Sequence, residues 1–116
     1  MKILSLSTDQ ELNQLRKFAL NSAGHEVVPL NSEKEALAAA QDDAAYDAIL
    51  LCHKLPSSIA RQVVRLLRHR KPQAKIIYIA HVYGEWPEVE ADRYVVGADG
   101  PEALTRVLEE VAATAA

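Results

Sequence analysis

Five short apolar runs punctuate the chain: Ile3–Leu6, Val27–Leu30, Ala48–Cys52, Ile76–Ala80 and Tyr94–Val96. Each has the length of a strand and is rich in branched side chains. The third and fourth are apolar at consecutive positions, the pattern expected where helices cover both faces of a parallel sheet. The stretches between them have helical character. Thr8 with Glu11, Ser32 with Glu35 and Asp99 with Glu102 each pair a capping side chain with a glutamate three residues on, so two unpaired backbone donors can be satisfied reciprocally. Leu12, Leu15 and Ala19 predict an inward stripe on the first helix, which Gly24 ends in a left-handed conformation. A second helix is predicted over 33–41. The third follows Pro56, turns Ile59, Val63, Leu66 and Leu67 inward and stops before Pro72. Pro101 takes the first position of the last helix, where its missing N–H costs nothing, and Leu104, Val107, Leu108 and Val111 form that helix's stripe.

Strands alternating with helices imply an α/β fold, a three-layer sandwich around a five-stranded parallel sheet. One connection breaks the rhythm. Residues 81–92 contain Gly84 and Pro87 and are close to the dozen or so residues that a parallel crossover needs, so a turn or a stunted helix of no more than about two turns is expected there.

Composition narrows the classes. With 116 residues, 49% hydrophobic and 25% charged, the chain reads as a single domain over 1–116 that needs neither metal nor disulfide to hold its core. Cys52 is the only cysteine, which excludes an internal disulfide and fits a reducing compartment. No apolar run approaches the roughly 20 residues that cross a bilayer and no export signal is evident, so a cytoplasmic location is expected. A net charge of -3 argues against a dedicated nucleic-acid binder. The alanine-rich end, Val111–Ala116, fits either a fraying helix or the start of a linker.

With the strands placed, the sequence resembles the CheY-like receiver domain of bacterial two-component response regulators, a branch of the flavodoxin-like folds. Residues 1–6 are similar to a receiver opening and Glu33–Leu37 to the family's second helix. Tyr46–Pro56 matches the stretch around the phosphorylated aspartate, and Ala91–Leu104 resembles the fifth strand and the start of the last helix. The resemblance covers the whole chain and implies strand order 2-1-3-4-5, with a shortened or missing fourth helix where residues 81–92 lie.

The resemblance also locates the family's phosphorylation chemistry, and this chain departs from it at every position. The acceptor aspartate falls on Cys52, the acidic pair that holds magnesium on Ser7 and Thr8, the fourth-strand hydroxyl on Ala80 and the fifth-strand lysine on Gly97. Magnesium prefers carboxylate, phosphate and water oxygens, whereas Ser7 and Thr8 offer neutral hydroxyls. Without metal and lysine nothing neutralises the charge on a transferring phosphoryl group. The expectation is a degenerate receiver, or pseudo-receiver: not an enzyme, without cofactor, acting in a phosphorelay-type system through protein–protein contact with a kinase, a regulator, an output domain or its own copy. The alternative is a small-molecule or redox sensor using the crevice near Cys52.

The remaining candidate residues each have a plainer role beside the functional one. Oxidation of Cys52 to a sulfinic acid would restore a negative charge, yet a buried cysteine more often packs as a small apolar residue. Cys52, His53 and His81 form a conceivable zinc set, against which neighbouring strand residues point to opposite faces, and no metal is expected. Arg61, Arg65 and Arg68 recur at helical spacing and, with Arg70, Lys71 and Lys75, place six of the 13 basic residues in one segment. That face suits phosphate, nucleic acid or an acidic protein surface, or simply solvent. Glu85, Glu88, Glu90 and Asp92 form a nearby acidic segment, which offers self-association through opposite charges. Trp86, with Tyr94 beyond it, is a candidate partner anchor or a cover for its own sheet. The four glycines form no G-x-G-x-x-G run, so no nucleotide fingerprint is present.

Overall fold

The computed structural model describes residues 1–81 and 89–114. Five strands, β1 (Lys2–Leu6), β2 (Glu26–Leu30), β3 (Ala48–Cys52), β4 (Lys75–Ala80) and β5 (Arg93–Val96), pair in parallel in the order β2-β1-β3-β4-β5. Among the described residues four α-helices surround them: α1 (Gln10–Ser22), α2 (Glu33–Gln41), α3 (Ser57–Arg70) and α4 (Pro101–Thr114). This is the expected three-layer arrangement and strand order, and each strand begins within one residue of its apolar run.

Side chains alternate across the sheet. Leu4, Leu6, Ile49, Leu51, Ile76 and Tyr78 form one core with α2 and α3, while Ile3, Leu50, Ile77, Ile79 and Val95 form the other with Leu20 of α1 and Leu104, Leu108 and Val111 of α4. All five residues of β3 are buried, as its unbroken apolar run predicts. The outer strand β2 carries Pro29 opposite Ser5 of β1.

The helix starts differ in detail from the capping boxes read in the sequence. Asp9, not Thr8, caps α1, its Oδ1 accepting the Leu12 N–H at 3.1 Å. Ser32 caps α2 as expected, accepting the Glu35 N–H at 3.1 Å, but Glu35 Oε1 accepts from the Ser32 hydroxyl rather than from the backbone. Asp99 closes a short 3₁₀ turn, Gly97–Asp99, and Gly100, at φ +88°, stands between it and Pro101 at the head of α4. Gly24, at φ +93°, follows the end of α1, as predicted.

The inward stripe of α1 is the larger correction. Leu15 is 68% exposed and Phe18 75%, and the residues that α1 buries are Asn13 and Leu20. Asn13 is fixed by polar contacts that no periodicity reveals. Its Nδ2 donates to the Ser5 carbonyl, the Leu30 carbonyl and Asn31 Oδ1, and its Oδ1 accepts from the Ser5 hydroxyl. One buried amide thereby ties α1 to the ends of β1 and β2. On α3, Val63 and Leu67 are buried as expected and are joined by Ala60 and Val64, while Ile59 and Leu66 are half-buried against the same core. Between β4 and β5 the described residues carry no helix; residues 82–88, and with them Trp86 and most of the stunted-helix expectation, lie outside the described residues.

Candidate functional site

All five strands run the same way, so the loops after β1, β3, β4 and β5 meet at one edge of the sheet, the edge at which such folds bind ligands. Ser7, Thr8, Cys52, Ala80 and Gly97 follow or end those strands.

The two hydroxyls are already engaged. Ser7 is 1% exposed; its Oγ accepts the Asp9 N–H at 3.1 Å and donates to the Asp9 carbonyl at 3.4 Å. Thr8 Oγ1 donates to the Lys54 carbonyl at 2.7 Å, linking the loop after β1 to the loop after β3. The one carboxylate in that loop, Asp9, is spent on the cap of α1. Cys52 is 1% exposed, and Ala80 is fully buried. A Cβ added at Gly97 would lie 3.4 Å from the Ala80 carbonyl oxygen and 3.6 Å from Ile79 Cγ2, so there is room for a side chain where the chain has none.

Cys52 and His53 come closer than strand alternation suggests: Sγ lies 3.6 Å from His53 Nδ1. β3 ends at Cys52, and His53, whose N–H still bonds the Ile79 carbonyl of β4 at 2.9 Å, opens the following turn. The His53 ring lies 5.1 Å from the His81 ring, centroid to centroid. Burial pushes the His53 imidazole below its ordinary pKa, and His81, Arg16 and Lys54 add to that by their positive charge. Among the described residues no three His, Cys, Asp or Glu side chains gather as a metal-ligand set.

Beside these residues a crevice of about 640 Å³ opens between α1 and α4. Leu12, Leu15 and Phe18 form its α1 wall, Ile79 and Val95 its floor and Leu104 its far side. Arg16, His53, Lys54 and His81 supply its polar groups, and Cys52 does not line it. Arg16 carries a feature invisible in the sequence: its Nη1 is buried and, among the described residues, has no hydrogen-bond partner.

The basic segment of α3 is partly engaged within the molecule. Arg68 Nη1 pairs with Asp92 Oδ2 at 2.9 Å, and its Nη2 reaches the Glu90 carbonyl at 3.4 Å, so part of the opposite-charge attraction between the two segments is satisfied inside one chain. Arg70 donates to the Gln41 carbonyl at 3.0 Å. Lys71 is buried, and its ammonium meets the Asp42 carbonyl, Asp42 Oδ1 and the Ala44 carbonyl at 2.6, 2.9 and 2.7 Å. Arg61 and Arg65 are exposed. Tyr94 is 41% exposed, and its hydroxyl donates to the Val89 carbonyl at 2.6 Å and accepts the Ala91 N–H, which holds down the chain entering β5.

No family model and no curated protein matches this sequence. Solved structures do match in shape. The chemotaxis response regulator CheY4 of Vibrio cholerae is 26% identical with a TM-score of 0.79, covering 95% of this chain and 97% of that one. A complex of the histidine kinase ThkA with the response regulator TrrA of Thermotoga maritima matches at 25% identity and TM-score 0.79, with 95% and 97% covered. A response regulator receiver protein from Sinorhizobium medicae matches at 21% identity and TM-score 0.83, covering 100% of this chain and 97% of that one. The chain has the receiver fold.

Proposed function

We propose that this chain is a receiver-type signalling module that acts through protein–protein contact and does not take up a phosphoryl group. The observation that carries this reading is the state of the edge where receivers do their chemistry. The magnesium ion that the fold family uses there does not fit the donors in place: Ser7 and Thr8 are neutral hydroxyls already bonded to backbone, and Asp9 is turned to the α1 cap. Cys52 offers a buried thiol where the resemblance places an acceptor carboxylate, and Gly97 offers no ammonium group.

Two features support protein contact as the mode of action. Leu15 and Phe18 form an exposed apolar ridge on α1, the kind of patch that marks an interaction surface. The neighbour TrrA is itself found in complex with a histidine kinase, which supports a kinase-like or regulator-like protein as the partner class here.

Incubation with acetyl phosphate and magnesium followed by intact-mass spectrometry tests the reading. The expected result is no phosphoryl adduct on the wild type or on Cys52→Asp, because a carboxylate without metal ligands and lysine is an acceptor without catalysis. The combined Ser7→Asp, Thr8→Asp, Cys52→Asp and Gly97→Lys chain is expected to gain one, since these parts act as a unit. A stoichiometric adduct on the wild type or on the single variant overturns the proposal.

A further inference from the structure

We infer that the crevice between α1 and α4 binds an amphipathic monocarboxylate, its apolar body lying between the two helices and its carboxylate held by the Arg16 guanidinium. Three observations converge on that chemistry. The first is the unpaired donor: a buried guanidinium nitrogen without a partner is costly, and that cost is relieved by an acceptor. Guanidinium presents a planar fork that matches a carboxylate better than any neutral group does.

The second is charge. The crevice is bordered by the positive charges of Arg16 and Lys54, with the His53 and His81 rings beside them, and none of its described lining residues is an aspartate or glutamate. Among the described residues no carboxylate is paired with Arg16, in contrast to Lys71 and Arg68, which meet Asp42 and Asp92 within the chain. The third is shape. About 640 Å³ falls inside the range of small-molecule sites, and walls of leucine, phenylalanine, valine and isoleucine suit a hydrocarbon or aromatic body rather than a sugar or a bare inorganic anion.

The inference rests on the reading above in one respect: a module that takes no phosphoryl group receives its input at this edge from another anion. The crevice touches both the α1 ridge and the loop from β5 to α4, so an occupant there bears directly on the surface proposed for partners.

Titration of the ¹⁵N-labelled chain, followed by NMR, tests it with three probes: phenylbutyrate, its neutral amide phenylbutyramide, and acetate as a carboxylate without a body. Phenylbutyrate is expected to shift amides of α1, residues 95–98 and the head of α4, and to bind about tenfold or more tighter than phenylbutyramide, the difference one charge-assisted fork supplies. Acetate is expected to give no saturable shift. Arg16→Met keeps the unbranched apolar stem and removes a guanidinium whose Nη1 is unpaired among the described residues, so it is expected to keep the fold and to bind acid and amide alike. Arg16→Lys, which keeps the charge without the fork, is expected to retain part of the preference. Equal affinity for acid and amide in the wild type, an acid preference that survives Arg16→Met, shifts clustered outside the crevice, or no binding at millimolar concentrations each overturns the inference. Binding is read by chemical shift and phosphoryl uptake by mass, so the two proposals fail separately.

Discussion

The two faces of the sheet are covered by helices in unlike ways. On one, α2 and α3 pack closely against each other as well as on the sheet, through small residues that let backbones approach: Ala36, Ala39 and Ala40 from α2 and Ala60 from α3. On the other, α1 and α4 scarcely touch, and α1 buries only Asn13 and Leu20. The first face is a filled core locked by the buried ammonium of Lys71. The second is held by a polar pin, Asn13, and leaves its apolar ridge and crevice open. Side-chain size and polarity at the contact, more than the count of apolar residues, set how near a helix lies to its neighbour.

The largest expected effect comes from removing the pin. Asn13→Ala strips partners from the Ser5 hydroxyl, the Leu30 carbonyl and Asn31 in a buried place, and a loss of about 2–3 kcal/mol is expected in urea unfolding. Hydrogen exchange is expected to speed up in α1 while α2 and α3 stay protected; uniform acceleration would mean the two faces are not independently held. On the filled face, Lys71→Met leaves two carbonyls and the Asp42 carboxylate without their shared donor, for an expected loss of about 1–2 kcal/mol.

A smaller effect is expected from acid. The Lys71 hydrogen bond holds the Asp42 carboxyl below its ordinary pKa. For Asp92 burial pushes upward, but the bonds from the Ile76 N–H and Arg68 outweigh it, and the net direction is also down. Folded-state values below the unfolded ones mean stabilisation that is complete above the unfolded carboxylate range and is lost as pH falls through the folded values. Both pairs join α3 to its surroundings, so unfolding midpoints measured from neutral to strongly acid pH are expected to fall less steeply in Asp42→Asn and Asp92→Asn than in the wild type. Unchanged slopes would show the two pairs to be irrelevant to that face. The smallest effect belongs to the ridge. Leu15→Ser and Phe18→Ser are expected to change stability by no more than about 0.5 kcal/mol, because both side chains are already in water. A cost above about 1.5 kcal/mol would reveal that a second copy covers them.

The pattern of apolar runs was enough to locate every strand, because a parallel sheet buried on both sides leaves an unbroken signature, as in Ala48–Cys52. It was also enough for α2, whose start is marked by Ser32 with Glu35. It failed where the answer depended on distance from a neighbour. Leu12, Leu15 and Ala19 share one helical face, but periodicity does not say how far α4 stands from that face, and Leu15 ended in solvent. Asn13 was unreadable because its partners come from residues 5, 30 and 31, which only the sheet brings together. Thr8 and Asp9 are both competent caps, and the choice between them was made by the Lys54 carbonyl across the edge. The hydroxyls, the thiol and Gly97 were legible as positions; the unpaired nitrogen of Arg16 was not, since nothing in a sequence records the absence of a partner.

Pro29 lies in the outermost strand, β2, where one long side of the sheet has no neighbour. An open edge normally invites another chain to extend the ladder, and proline, with no N–H to give, interrupts that template. Growth by strand addition is disfavoured on this flank. Among the described residues no further strand covers this flank, and the proline makes it a poor template for edge-to-edge aggregation.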